Sequence, residues 1–114
     1  MKKFLVLYGS SVPAREQIAK APPEQAKAGM DLWMAWAKKA GHAIIDLGAP
    51  LGDAMRVEGG STSSSASKVA GFSILQAESS KELARLLKDH PHYKAPGASI
   101  EVLEFLSMPG MPQK

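Results

Sequence analysis

Cysteine is absent from the 114 residues, which removes disulfides, thiolate metal sites and cysteine nucleophiles together and suits a reducing cytoplasm. Any catalysis must then rest on His, Asp, Glu, Ser or Tyr. No apolar run approaches the roughly 20 residues that a membrane helix needs, so no membrane partner is expected. Met1-Lys2-Lys3 followed by Phe4 to Tyr8 imitates a signal peptide. Its apolar core is shorter than the ~7 to 15 residues such a segment requires, and no A-x-A site follows, so it reads as a first strand. Clustered charge of one sign is missing too. The 14 Lys and Arg and 11 Asp and Glu leave +3, spread along the chain. No basic strand interleaved with aromatics accompanies them, which sets nucleic acid aside as a partner.

What is present is a soluble-type composition, 45% hydrophobic and 22% charged, of a size that buries a core without staples. A single domain is expected over residues 1–106, with a tail over 107–114. The stretch from Val69 to Leu106 organises it. Val69 to Ala77 reads as a strand. Ser79-Ser80-Lys81-Glu82 is an S-x-x-E capping box, which starts a helix running to Asp89. Leu83, Leu86, Leu87 and His90 recur at i, i+3, i+4 and i+7, one stripe able to lie on a sheet. Pro91 stops the helix, His90 to Gly97 is a loop, and Ala98 to Leu106 is a closing strand.

Upstream, Phe4 to Tyr8 is apolar on both faces, as in an interior strand. Pro13 to Lys20 suits a short helical turn. Pro22-Pro23-Glu24 opens the main helix, which runs to Ala40 with Met30, Trp33, Met34 and Ala37 on one face, Lys38 and Lys39 in its last turn and Gly41 as its stop. His42 to Leu47 is a second strand, and Ala54 to Glu58 a short edge extension. Gly59 to Ser67 has nothing to bury and reads as a mobile loop.

The order strand, helix, strand, strand, helix, strand predicts an α+β fold: a ferredoxin-like βαββαβ sandwich with both helices on one face of a mainly antiparallel sheet. The other face is left without a cover. Ile100, Val102 and one side of the first strand are expected there, and a second copy of the chain is the natural partner, forming a homodimer.

This topology gathers most candidate chemistry at one sheet edge. His90-Pro91-His92-Tyr93 puts two imidazoles at a helix exit, where the dipole favours the protonated form. His90 is the candidate acid-base, or else a packed core residue. Asp46 points away from Ile45 and Leu47; buried, it would have a raised pKa and could assist, and otherwise it bonds to loop amides. Tyr8, Ser10, Trp33, Trp36 and His92 are candidate ligand-binding residues. One indole is expected on the sheet and the other beside a pocket or interface. His42 begins its strand at the opposite edge, as a surface or capping histidine. No motif calls for a cofactor. His90 and His92 would need Asp46, Asp53 or Asp89 to complete a zinc site, so no metal is assigned.

The strand Phe4 to Tyr8, Trp33-Met34-Ala35-Trp36, Gly48-Ala49-Pro50-Leu51, Gly71-Phe72-Ser73-Ile74, His90-Pro91 and Ile100-Glu101-Val102 occur in this order. With them the chain resembles the YCII-related family over nearly its whole length. The resemblance implies a dimeric α+β barrel in which two ferredoxin-like subunits pack their sheets together. It also implies a small cytoplasmic protein, some of whose relatives are enzymes using a His and Asp pair. The family's helix histidine falls near Met30 here, and the aspartate of its Asp-Pro motif falls at His90. Gly59 to Ser67 occupies the place of an Asp-Gly-Pro-Phe loop found in a related branch.

Two functions fit these residues. One is a lyase or isomerase acting on a small aromatic or carbonyl compound, with His90 as acid-base and Asp46 or Tyr8 assisting. The other is a non-catalytic dimeric module that binds a small ligand or a protein partner at the same place. A haem- or oxygen-dependent monooxygenase of the wider barrel class would need an axial ligand, and no residue is assigned to that role.

Overall fold

The computed structural model describes residues 1–110. Its strands are β1 (Lys2–Gly9), β2 (Ile44–Pro50), β3 (Met55–Glu58), β4 (Ser61–Ser64), β5 (Val69–Ala77) and β6 (Ser99–Glu104), and its helices α1 (Ala14–Lys20), α2 (Pro23–Ala40) and α3 (Ser80–Leu87). Short 3₁₀ turns precede β2 and β6. Four strands form one antiparallel sheet in the order β2-β5-β1-β6. The first strand lies between the third and fourth strands of the sheet, the ferredoxin-like arrangement that the segment order predicts.

Alternation along β1 decides where the core sits, because successive side chains point to opposite faces. Phe4, Val6 and Tyr8 are buried, and they pack with Leu75 and Ala77 of β5, Trp36 and Ala40 of α2, and Leu83 and Leu87 of α3. Both helices therefore cover one face of the sheet. They also meet directly, the Trp36 indole Nε1 donating to the Leu86 carbonyl at 3.3 Å. Each fully buried large side chain, such as Phe4, Leu75 or Leu83, contributes about 2 kcal/mol of apolar transfer.

The helix ends form for the reasons seen in the sequence. Ser79 Oγ accepts from the Glu82 amide at 3.1 Å, and Gly41 closes α2 at a φ of +58°, a backbone state that costs glycine little. Gly48 has a stricter reason to be glycine. At a φ of +84°, a Cβ there would stand 1.7 Å from the Phe72 carbonyl oxygen, so β2 passes β5 too closely to carry any side chain.

Several expectations need correction. Ile100 and Val102 do not lie on the open face. The β1–β6 register sets them opposite Tyr8 and Val6, and opposed residues of an antiparallel pair share a face, so they pack under the helices. Met30 and Met34 are exposed; the inward stripe of α2 is Trp33, Trp36, Ala37 and Ala40, the same 3.6 period turned so that the two indoles lie inward. The helix that the capping box starts, α3, ends at Leu87, before Asp89, and His42 falls in the 3₁₀ turn ahead of β2. Residues 59–67 are not simply a loop, because β3 and β4 pair as a hairpin across Gly59-Gly60. Both glycines have positive φ, +51° and +86°, as a two-residue hairpin turn of the type I′ kind requires. The hairpin is exposed along its whole length. Of the tail expected over 107–114, residues 107–110 are exposed, and 111–114 lie outside the described residues. Among the described residues no helix is long and apolar enough to cross a membrane.

Candidate functional site: an imidazole among three aromatic rings

Three elements converge where β1 ends. β1 brings Tyr8 and Gly9, α2 brings Trp33 and Trp36 three residues apart on its inward face, and the turn after α3 brings His90 and His92. Pro91 explains the last placement. It biases His90 to an extended backbone, φ −64° and ψ 138°, and then occupies the first position of the 3₁₀ turn Pro91–Lys94, where its missing N–H costs nothing. His90 caps that turn: its Nδ1 accepts from the His92 amide at 2.9 Å, as an Asn or Asp oxygen would. His92, also buried, is tied to β1 through its Nε2, 2.7 Å from the Gly9 carbonyl oxygen.

The rings close around His90. Its centroid lies 4.9 Å from Tyr8, 4.4 Å from Trp33 and 4.3 Å from Trp36, with the Trp33 ring nearly perpendicular at 81°. Tyr8 is also edge-on to Trp33 at 5.1 Å and lies 5.2 Å from His92. The Tyr8–Trp33 pair has the ordinary distance of an edge-to-face aromatic contact, and the two indoles pack more closely on the imidazole. Both indoles lie against the imidazole; Trp36 is buried in the core on the sheet, and Trp33 is half-buried beside it.

Hydrogen-bond partners assign the tautomers. A carbonyl only accepts, so His92 carries a proton on Nε2. His90 Nδ1 accepts, so the neutral His90 ring carries its proton on Nε2 as well. That Nε2 is buried and has no hydrogen-bond partner among the described residues. A buried donor left unpaired costs about 1–3 kcal/mol, and ring π systems offset only part of that. Burial pushes the His90 imidazole down from 6.5 to about 4, and the neighbouring His92 adds to the effect. The helix-dipole expectation of a protonated His90 is thus reversed, because desolvation outweighs it and because α3 ends three residues earlier.

Tyr8 is committed elsewhere. Its hydroxyl donates to Ser73 Oγ at 2.8 Å, and Ser73 donates in turn to the Leu47 carbonyl at 2.6 Å. Burial raises the Tyr8 pKa, against the lowering effect of the Ser73 bond. Ser73 has no exposed surface, and the sequence reading did not place it in the site. Its signal was there: it alternates with Gly71 and Leu75 on the inward face of β5, a polar residue in an apolar row.

The structure brings together His90, His92, Tyr8, Trp33 and Trp36. It leaves two candidates apart. Asp46 is exposed, its Oδ1 accepting from the Gly48 amide at 2.8 Å, and its register opposite Ile74 puts it on the sheet face away from the helices. Ser10 is buried but serves the loops, donating to the Pro96 carbonyl and accepting from Val12 N and Gln17 Nε2. Among the described residues no group of three or more His, Asp or Glu could hold a metal.

Neither a family model nor a curated protein matches the chain. Among solved structures, it is similar to the 5-chloro-2-hydroxyhydroquinone dehydrochlorinase (TftG) from Burkholderia phenoliruptrix AC1100 in complex with 2,5-dihydroxybenzoquinone. Sequence identity is 16%, the match covers 93% of this chain and 94% of that one, and the TM-score is 0.53. The strand order and this likeness together give the chain an α+β, ferredoxin-like fold, shared over nearly its whole length with TftG.

Proposed function

We propose that the His90 cluster binds a small oxygenated aromatic or carbonyl compound and that the chemistry run there is of the lyase or isomerase type. The unpartnered His90 Nε2 carries this reading. It is a proton donor without an acceptor among the described residues, packed among three aromatic rings. A ketone or phenol oxygen would complete its hydrogen bond and recover the cost of leaving it unpaired. Trp33 is the less buried of the two indoles, so a ligand reaching His90 would have to displace it. The fold shared with an enzyme whose bound compound is a dihydroxybenzoquinone supports the same substrate class.

His90 serves here as a neutral electrophile. With its pKa near 4 it stays uncharged at neutral pH, and its Nε2–H polarises a carbonyl as charge builds on the oxygen. Neutral imidazoles held below their ordinary range are suited to this. The base is a separate matter, since His90 Nδ1, His92 Nε2 and the Tyr8 hydroxyl are each engaged with protein groups. No Asp or Glu is among the rings and imidazoles of the cluster. That observation favours the second reading, a non-catalytic dimeric ligand-binding module, should no turnover accompany binding. Asp46, on the sheet face away from the helices, is not within the cluster, so the lyase reading has to draw its base from the ligand or from solvent.

The open face supports a homodimer and the YCII-related type of dimeric barrel. Leu5 and Leu7 of β1 share it with Ile74, Phe72 and Leu103 through the strand registers, and no helix among the described residues covers them. A cytoplasmic domain over residues 1–106 completes the reading, supported by the absence of cysteine.

Calorimetric titration with 2,5-dihydroxybenzoquinone tests the site. The wild type is expected to bind it, and His90→Phe, which keeps the ring volume but loses the donor, to bind it about tenfold or more weakly, as loss of a buried hydrogen bond implies. Equal affinity in the two proteins would remove His90 from the site.

A further inference from the structure

Away from the aromatic cluster, a cleft of about 410 Å³ opens between the start of α1, the turn after β2 and the segment leading into β5. Two cations line it, Arg15 and Lys68, against one carboxylate, Asp53. Arg15 is held in place by that carboxylate, Nε to Oδ2 at 3.4 Å. Its Nη2 lies over Gly52, 3.2 Å from where a Cβ would stand. One contact to one oxygen uses a small part of a guanidinium with five N–H donors, so most of them remain for a ligand. Lys68 is anchored by its backbone, whose carbonyl accepts from Ser10 N at 2.9 Å. Among the described residues no carboxylate forms an ion pair with it.

Hydroxyls add to the donor set. Ser65 Oγ accepts from the Ser67 amide and Ser67 Oγ from the Val69 amide, both at 3.3 Å, which leaves each hydroxyl proton free to donate outward. Ala14 and Leu51 supply apolar wall on the same side as Arg15. Past Arg15, a second cleft of about 240 Å³ continues along Leu51 to Ile18 and Pro50. Donors and cations are thus gathered at one end of an apolar groove.

We infer that this cleft binds a small organic carboxylate, its charge held by Lys68, Arg15 and the hydroxyls of Ser65 and Ser67, its apolar body lying on Ala14 and Leu51. The site is independent of the His90 cluster, and each stands or falls by itself. Arginine suits a planar carboxylate through its fork of donors, and the groove rewards an apolar body that an inorganic anion lacks.

Sodium benzoate, benzamide and inorganic phosphate, each titrated into the ¹⁵N-labelled protein and followed by amide shifts, form the test. Benzoate is expected to give saturable shifts at residues 51–54 and 64–69. Benzamide, the Arg15→Gln/Lys68→Gln double variant with benzoate, and phosphate should each bind about tenfold or more weakly, the loss that follows removal of charge-assisted hydrogen bonds or of apolar contact. Arg15 and Lys68 are exposed, so the variant's remaining spectrum should match the wild type. Benzamide binding as well as benzoate, a variant that binds unchanged, or phosphate matching benzoate would each overturn the proposal. So would benzoate shifts centred on Trp33, Trp36 and His90 in place of the cleft.

Discussion

Acidification from about pH 6.5 to about pH 4 should cost the wild-type protein about 3 kcal/mol of stability that the His90→Phe variant keeps. In the unfolded chain the imidazole takes its proton near its ordinary value of 6.5; in the folded chain it does so only near 4, because burial disfavours the charge and His92 opposes it. Between those values the unfolded state binds more protons, so stability rises with pH. The contribution is fully present above 6.5 and lost as pH falls through 4. Carboxylates titrate alike in both proteins and cancel in the comparison. The difference corresponds to roughly 10 to 20 °C in melting temperature for a domain of this size. At pH 7 the variant should be about as stable as the wild type, since losing the cap on the His92 amide is offset by losing an unpaired buried donor. Parallel pH profiles for the two proteins would show that His90 is not desolvated as the structure has it.

Leu7→Asp should turn a dimer into a monomer. Leu7 lies in the middle of the sheet, paired with Phe72 on one side and Glu101 on the other, on the face that no helix among the described residues covers. A carboxylate buried there without a partner costs several kcal/mol, about a thousandfold in dissociation constant. Ile18→Asp, on the exposed side of α1, should leave the dimer intact. Sedimentation velocity at micromolar concentration reads both. A wild type that already sediments as the 12.1 kDa chain would refute the dimer before any variant is made.

The sequence carried the fold further than the site. Ser79 and Glu82 announce the start of α3 by chemistry that acts locally, and Gly41 announces the end of α2 in the same way. Which face of β6 carries Ile100 and Val102 depends on register with β1, a non-local quantity, and one residue of slip exchanges the faces. Composition alone hid the β3–β4 hairpin, because Gly59-Gly60 sits among serines that have nothing to bury; the paired glycines were the better signal. Five of the seven candidate residues lie together, since the topology brings the ends of β1 and α3 to one edge, while Asp46 and Ser10 do not join them. Their roles were not legible. That His90 would cap its own turn through Nδ1, and so fix its proton on Nε2, depends on the turn that Pro91 starts, and the Tyr8–Ser73–Leu47 relay spans three strand segments distant in sequence.

Imidazole ¹⁵N spectroscopy of the labelled protein reads whether His90 is a neutral, buried donor. At pH 7 His90 should appear as the neutral tautomer protonated on Nε2, and saturating 2,5-dihydroxybenzoquinone should shift that nitrogen while leaving the His42 ring, exposed outside the cluster, unchanged. A protonated His90, a proton on Nδ1, or an Nε2 resonance indifferent to the ligand would contradict the account.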